Sequence, residues 1–190
     1  MTHLKWKLCT ISMLALAGIL WGACKKYEDP PATNGDDRLT NHYCNNPYAI
    51  NYNWGFPGIP DSTVCIFPND RLTGSWLFND TVLLPDSSIA EIVLRQLVFT
   101  SREDTSRNHL AVTGFCNNGQ SLQVTADRFG NVLTDTLIEY TDGGQFFCSE
   151  SDTISGQMNF YFQSDSLLKI NLSVLTPDGM QYHTGTGTKQ

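Results

Sequence analysis

Past Leu72 the chain is a succession of short runs rich in Val, Ile, Leu, Thr and aromatic residues, cut at close intervals by turn-forming clusters. That pattern leaves few folds open. Eight runs are present, over residues 75–84, 90–100, 110–115, 122–126, 132–140, 154–163, 167–176 and 180–188. Asp86-Ser87, Arg128-Phe129-Gly130-Asn131, Asp142-Gly143-Gly144 and Pro177-Asp178-Gly179 are among the punctuating turns, the last suited to a tight hairpin with glycine at positive φ. Residues 88–96 also admit a helical reading. Alternation is plain in Lys169-Ile170-Asn171-Leu172-Ser173-Val174, where the three aliphatic residues share one face, so each strand has a buried side and a wet side. The expectation is an all-β chain, an eight-stranded antiparallel up-and-down meander closing as a barrel or a sandwich. In such a meander the connections after the third and fifth strands lie at the same end, which brings Cys116 and residues 144–148 to one rim.

Ahead of the strands, Lys5 and Lys7 precede an apolar run of 13 residues, 8–20. This is well short of the roughly 20 needed to cross a bilayer as a helix, and reads as a signal peptide over residues 1–23. Its ending, Gly22-Ala23-Cys24, resembles the lipobox of bacterial lipoproteins, with Trp21 where a branched aliphatic residue is usual. The resemblance implies lipidation of Cys24 and a tether of acyl chains in place of a spanning segment. Lys25-Lys26-Tyr27-Glu28-Asp29 is similar to the export signal of surface lipoproteins of the Bacteroidota. The expected location is the outer membrane, at the cell surface or the periplasmic face. Residues 24–41, with Pro30-Pro31 and Gly35-Asp36-Asp37, read as the lipidated cysteine and a flexible linker.

Loss of residues 1–23 removes Lys5 and Lys7 and no acid, leaving 10 basic and 19 acidic side chains, a formal charge of −9. A nucleic-acid partner is disfavoured. Cys9 leaves with the signal and Cys24 carries lipid, so Cys44, Cys65, Cys116 and Cys148 are left in an oxidising compartment. They allow three pairings; Cys44 with Cys65 and Cys116 with Cys148 is the favoured one, each bridge stabilising by about 3 kcal/mol. With no Cys-x-x-Cys and no His pair at ligand spacing, neither a metal nor a cofactor is expected.

Residues 42–71 carry Cys44, Pro47, Ala49, Asn51, Tyr52, Asn53, Asp61 and Cys65, and on these the segment resembles a small disulfide module of secreted Bacteroidota proteins. Its middle, with Gly55-Phe56-Pro57-Gly58, is longer than usual, and Ser62-Thr63-Val64 replaces an acidic-Gly-Ser ending. The resemblance implies a Cys44–Cys65 staple and no activity. Gly74-Ser75-Trp76 resembles the Gly-x-Trp element of the lipocalins, whose Trp packs across the closed end of an eight-stranded barrel. Gly185-Thr186-Gly187-Thr188-Lys189 is likewise similar to the ending of lipocalin-like or calycin-like lipoproteins of the Bacteroidota. Residues 72–190 are therefore expected to form a lipocalin-like β domain behind the stapled module.

Catalytic signals are absent: there is no nucleophile elbow and no phosphate-binding glycine pattern. His42 lies by the linker, His109 near the 101–108 turn and His183 alone in the last strand, where a histidine is usually at the surface or satisfied. Five Asp-Ser/Thr pairs match the O-glycosylation sequon of the Bacteroidota, with Ser62, Thr81, Thr136, Thr153 and Ser166 as acceptors, although such pairs are also ordinary turn and strand-entry dipeptides. Trp54, Phe56 and Trp76 are the candidate partner-binding aromatics. The leading expectation is a non-catalytic envelope lipoprotein presenting a surface to an envelope protein or a glycan. The alternatives are a lipocalin-like carrier of a small hydrophobic ligand and, less favoured, an enzyme or enzyme inhibitor.

Overall fold

The computed structural model describes residues 37–54, 57–102, 107–116, 118–136, 145–162, 164 and 166–190. The signal segment, Cys24 and the linker up to residue 36 lie outside them. Asp37–Leu39, a 3-10 turn, belongs to a first unit, and residues 40–190 form a second.

In the second unit the sequence 42–67 has too few apolar residues for a core of its own, and a Cys44–Cys65 disulfide takes that place. Among the described residues, Cys44, Ala49, Cys65 and Phe67 form its one small buried cluster. Two-residue strands β1 (His42–Tyr43) and β2 (Ile59–Pro60) pair in parallel, and a 3-10 turn at Ser62–Val64 follows. Asp61 caps that turn by accepting from Thr63 N–H at 2.8 Å. Asn51 donates to the Val64 carbonyl and accepts from the Ile66 N–H, satisfying backbone that no ladder reaches.

A five-residue helix α1 (Pro68–Leu72) then leads into the barrel strands: β3 (Gly74–Leu83), β4 (Ile89–Ser101), β5 (His109–Thr113), β6 (Leu122–Ala126), β7 (Asn131–Thr134), β8 (Gln145–Phe146), β9 (Thr153–Phe160), β10 (Leu167–Thr176) and β11 (Gly179–Lys189). Consecutive neighbours pair antiparallel, β7 passes to β9, and β11 returns to β3 from Tyr182↔Leu83 to Lys189↔Trp76, which closes an eight-stranded barrel. The two-residue Pro177-Asp178 connection ends on Gly179 at φ 125°, the positive value the hairpin required.

One local ambiguity is resolved and one expected strand is shorter than its run. Residues 89–96, for which the sequence also admits a helical reading, are strand, as the run at 90–100 predicts, because pairing against β3 overrides whatever helical preference they carry. The run expected at 132–140 stops at Thr134, and residues 137–140 lie outside the described residues. The two-residue β8 continues the same lane beside β9: β7 pairs as far as Leu133↔Gln157, and β8 resumes at Gln145↔Ile154. Gln145, 2% exposed, bridges the break. Its amide accepts from Gln123 N–H at 2.8 Å and donates to the Asp135 carbonyl at 2.8 Å and to the Gln123 carbonyl, doing with a side chain what a ladder would do with backbone.

Alternation puts Trp76, Phe78, Asp80 and Val82 of β3 on the inner face, with Leu97 and Phe99 of β4 and Ile170, Leu172 and Val174 of β10. One end of the barrel is plugged. Trp76 is fully buried, donates from Nε1 to the Leu72 carbonyl at 2.8 Å, and meets Phe99 and Phe160 edge-on at 6.0 and 5.8 Å. Helix α1 lies over it through Leu72, and Lys189 sits 5.7 Å above the indole while its ammonium donates to the Arg71 carbonyl. Trp76 is therefore a core aromatic closing the barrel, and its candidacy as a partner-binding residue is withdrawn.

Candidate functional site

At the opposite end the inner face turns polar. Asp80 is in phase with Trp76 and Phe78, Arg95 with Leu97 and Phe99, and His183 lies on the adjoining β11. Closure of the barrel brings the three together. Asp80 Oδ2 accepts from Arg95 Nε at 2.7 Å and lies 2.8 Å from His183 Nδ1. Asp80 is 0% and His183 5% exposed, so this charge cluster is held out of bulk water. An ion pair that buried must satisfy its partners to survive desolvation, yet Asp80 Oδ1 has no hydrogen-bond partner among the described residues. Arg95 is fixed a second time, donating from Nη1 to the Phe115 carbonyl at 3.1 Å.

Above the cluster lies an open cleft of about 420 Å³. Arg95 and His183 form part of its floor, Phe115, Phe147 and Val174 an apolar wall, and Asp152, Gln181 and the Cys116–Cys148 disulfide belong to its lining. The bridge has the pairing and rim position expected from the meander. It holds Phe115 and Phe147, which follow β5 and β8 and touch at 5.8 Å between centroids, and Phe147 also meets the His183 ring at 6.1 Å.

A second concavity of about 300 Å³ lies where the stapled segment meets the β6–β7 turn. Ile50, Tyr52, Trp54, Arg128 and Phe129 line it. The Arg128 guanidinium lies 5.0 Å from the Tyr52 ring centroid and 4.7 Å from that of Phe129. Trp54 is 86% and Phe129 70% exposed, whereas Phe67, Trp76, Phe78, Phe99, Phe115, Phe147 and Phe160 are buried. Phe56 lies outside the described residues. Trp54 is thus the one candidate aromatic placed at the surface, and its companions Arg128 and Phe129 were missed because only the folded chain brings a turn 74 positions later beside it.

The sequon residues are scattered. Ser62, Thr136 and Ser166 are exposed, and Thr81 and Thr153 are half-buried within strands. Several of the preceding acids have work inside the fold: Asp61 caps a turn, Asp80 anchors the barrel cluster, and Asp135 accepts from Thr125 Oγ1. Of the histidines, His42 bonds Asp61 at 2.7 Å, and His109 opens β5, not the turn before it, with Thr125 Oγ1 2.9 Å from its Nδ1. Among the described residues no group of three or more His, Cys, Asp or Glu could hold a metal ion, and no helix is long and apolar enough to cross a membrane.

No family model and no curated protein matches the chain. Among solved structures, a crystal structure of a protein of unknown function from the DUF3598 family of Nostoc punctiforme is similar at a TM-score of 0.40 and 10% identity, over 65% of this chain. The chain spans about half of that structure's length, 49%.

Proposed function

We propose that the protein is a non-catalytic lipoprotein of the outer membrane, tethered through Cys24 in the manner of Bacteroidota envelope lipoproteins, that presents its aromatic groove to an extracellular glycan. The observation that carries this reading is Trp54, 86% exposed across a shallow groove from Phe129 and the stacked Arg128. Leaving large rings in water is unfavourable by roughly 25 cal/mol per Å² of apolar surface, so a ring kept bare beside a fixed guanidinium suits a ligand with both apolar faces and hydroxyls. The groove is open, which fits an extended ligand better than a small enclosed one. Binding of the mature protein to purified cell-surface and host glycans, compared with Trp54→Ala, tests it. Selective binding that Trp54→Ala abolishes is expected; retention by a glycan-free envelope fraction with no glycan bound would replace the glycan with a protein partner.

The carrier reading draws on the volume of the barrel mouth, within the usual range for small-ligand pockets of about 300–1,000 Å³. Its lining speaks against a purely hydrophobic cargo. Beneath the cleft Trp76, Phe78, Leu97 and Phe99 fill the interior, and the floor is charged.

A further inference from the structure

We infer that the barrel mouth is a built site for a small monocarboxylic acid, separate from the aromatic groove and independent of the glycan reading. Two nitrogens at its floor are unengaged. Arg95 spends Nε on Asp80 and Nη1 on the Phe115 carbonyl, and Nη2 has no hydrogen-bond partner among the described residues. His183 gives Nδ1 to Asp80, which leaves Nε2 without one. Both side chains line the cleft, and both are held in place from behind by one carboxylate that is itself fully buried. A fixed, partly desolvated guanidinium donor beside an imidazole nitrogen that can accept a proton recognises a carboxyl group through short charge-assisted hydrogen bonds.

The charge balance selects the ligand. Asp80 and Arg95 offset each other, so an acid arriving with its proton donates O–H to His183 Nε2 and accepts from Arg95 Nη2. With that proton passed to the imidazole, two carboxylates face one guanidinium and one imidazolium. No net charge is buried. The other charged group in the cleft lining is Asp152; β10 contributes Val174 and Thr176, and β11 contributes Gln181. Asp152 disfavours a second negative charge on the ligand, and the wall of Phe115, Phe147 and Val174 takes an apolar body. A molecule with one carboxyl and a short aliphatic or aromatic remainder meets all of these conditions.

The test is calorimetric titration of the mature protein with monocarboxylates (acetate, phenylacetate, octanoate) and their primary amides, which match in shape but lack the acid. At least one acid binding at least tenfold more tightly than its amide is expected, with that preference lost in the Asp80→Asn/Arg95→Gln double variant. The acid-to-amide ratio on the unaltered protein stands even if the double variant fails to fold. Equal affinity for acid and amide, an unchanged preference in a folded double variant, or no acid binding below about 10 mM overturns the inference.

Discussion

The two ends of this barrel are made from the same strands and treated in opposite ways. At the closed end β3 carries Trp76 near its start and β11 ends with Lys189, and the side chains fill the space between α1 and the sheet. Toward the mouth the same two strands present Asp80 and His183, which meet each other and Arg95 beneath an open cleft. The closed end gains its stability from apolar burial and close packing. The mouth holds groups whose desolvation roughly cancels their attraction, so it contributes little net stability and supplies chemistry in its place.

Substitutions at the two ends sharpen this contrast. Trp76→Ala should be the most damaging, costing about 3–5 kcal/mol in urea unfolding through the lost transfer energy and the cavity left under α1. Asp80→Ala should cost about 3 kcal/mol, because Arg95 and His183 lose the one carboxylate that holds them; if the loss is under about 1 kcal/mol, the cluster is not electrostatically coupled. Removing the rim bridge with Cys116→Ser and Cys148→Ser should cost about 3 kcal/mol or somewhat less and loosen Phe115 and Phe147, seen as faster amide exchange at the mouth with the Trp76 end unchanged.

How much of this was legible in the sequence differs between the same two ends. The strands and the plug were readable because alternation and the Gly-x-Trp element are local. Each member of the charge cluster was also visible alone: Asp80 interrupts the apolar series of Trp76, Phe78 and Val82, and Arg95 that of Leu97 and Phe99. That the interruptions coincide depends on register, with Asp80 set between Gly185 and Val93, and no single strand encodes that. Gly185 is part of the same match, since a Cβ there would fall 1.9 Å from the Asn79 carbonyl oxygen. The broken lane at β7 and β8 was hidden for a different reason, because a glutamine side chain stands in for backbone pairing.

The stapled segment offers the smallest effect. Hydrogen bonds from the Thr63 side chain and N–H, then from His42, hold the Asp61 carboxyl below its ordinary value of 3.8. A depressed carboxylate stabilises the fold above its unfolded pKa and loses that contribution as pH falls through the folded value. Between pH 5 and pH 2.5 the melting temperature of the native protein should therefore fall slightly more than that of Asp61→Asn. An identical fall in both would show that the cap at Ser62–Val64 does not depend on the charge.

The most direct measurement is the urea unfolding free energy of the triple variant Asp80→Leu/Arg95→Met/His183→Leu, which exchanges the polar floor for apolar side chains. Stability equal to the native protein or higher is expected, since the cluster is kept for what it can bind. A loss of about 3 kcal/mol or more, matching that of Asp80→Ala, would show that the cluster holds the barrel together and that the two ends do the same job.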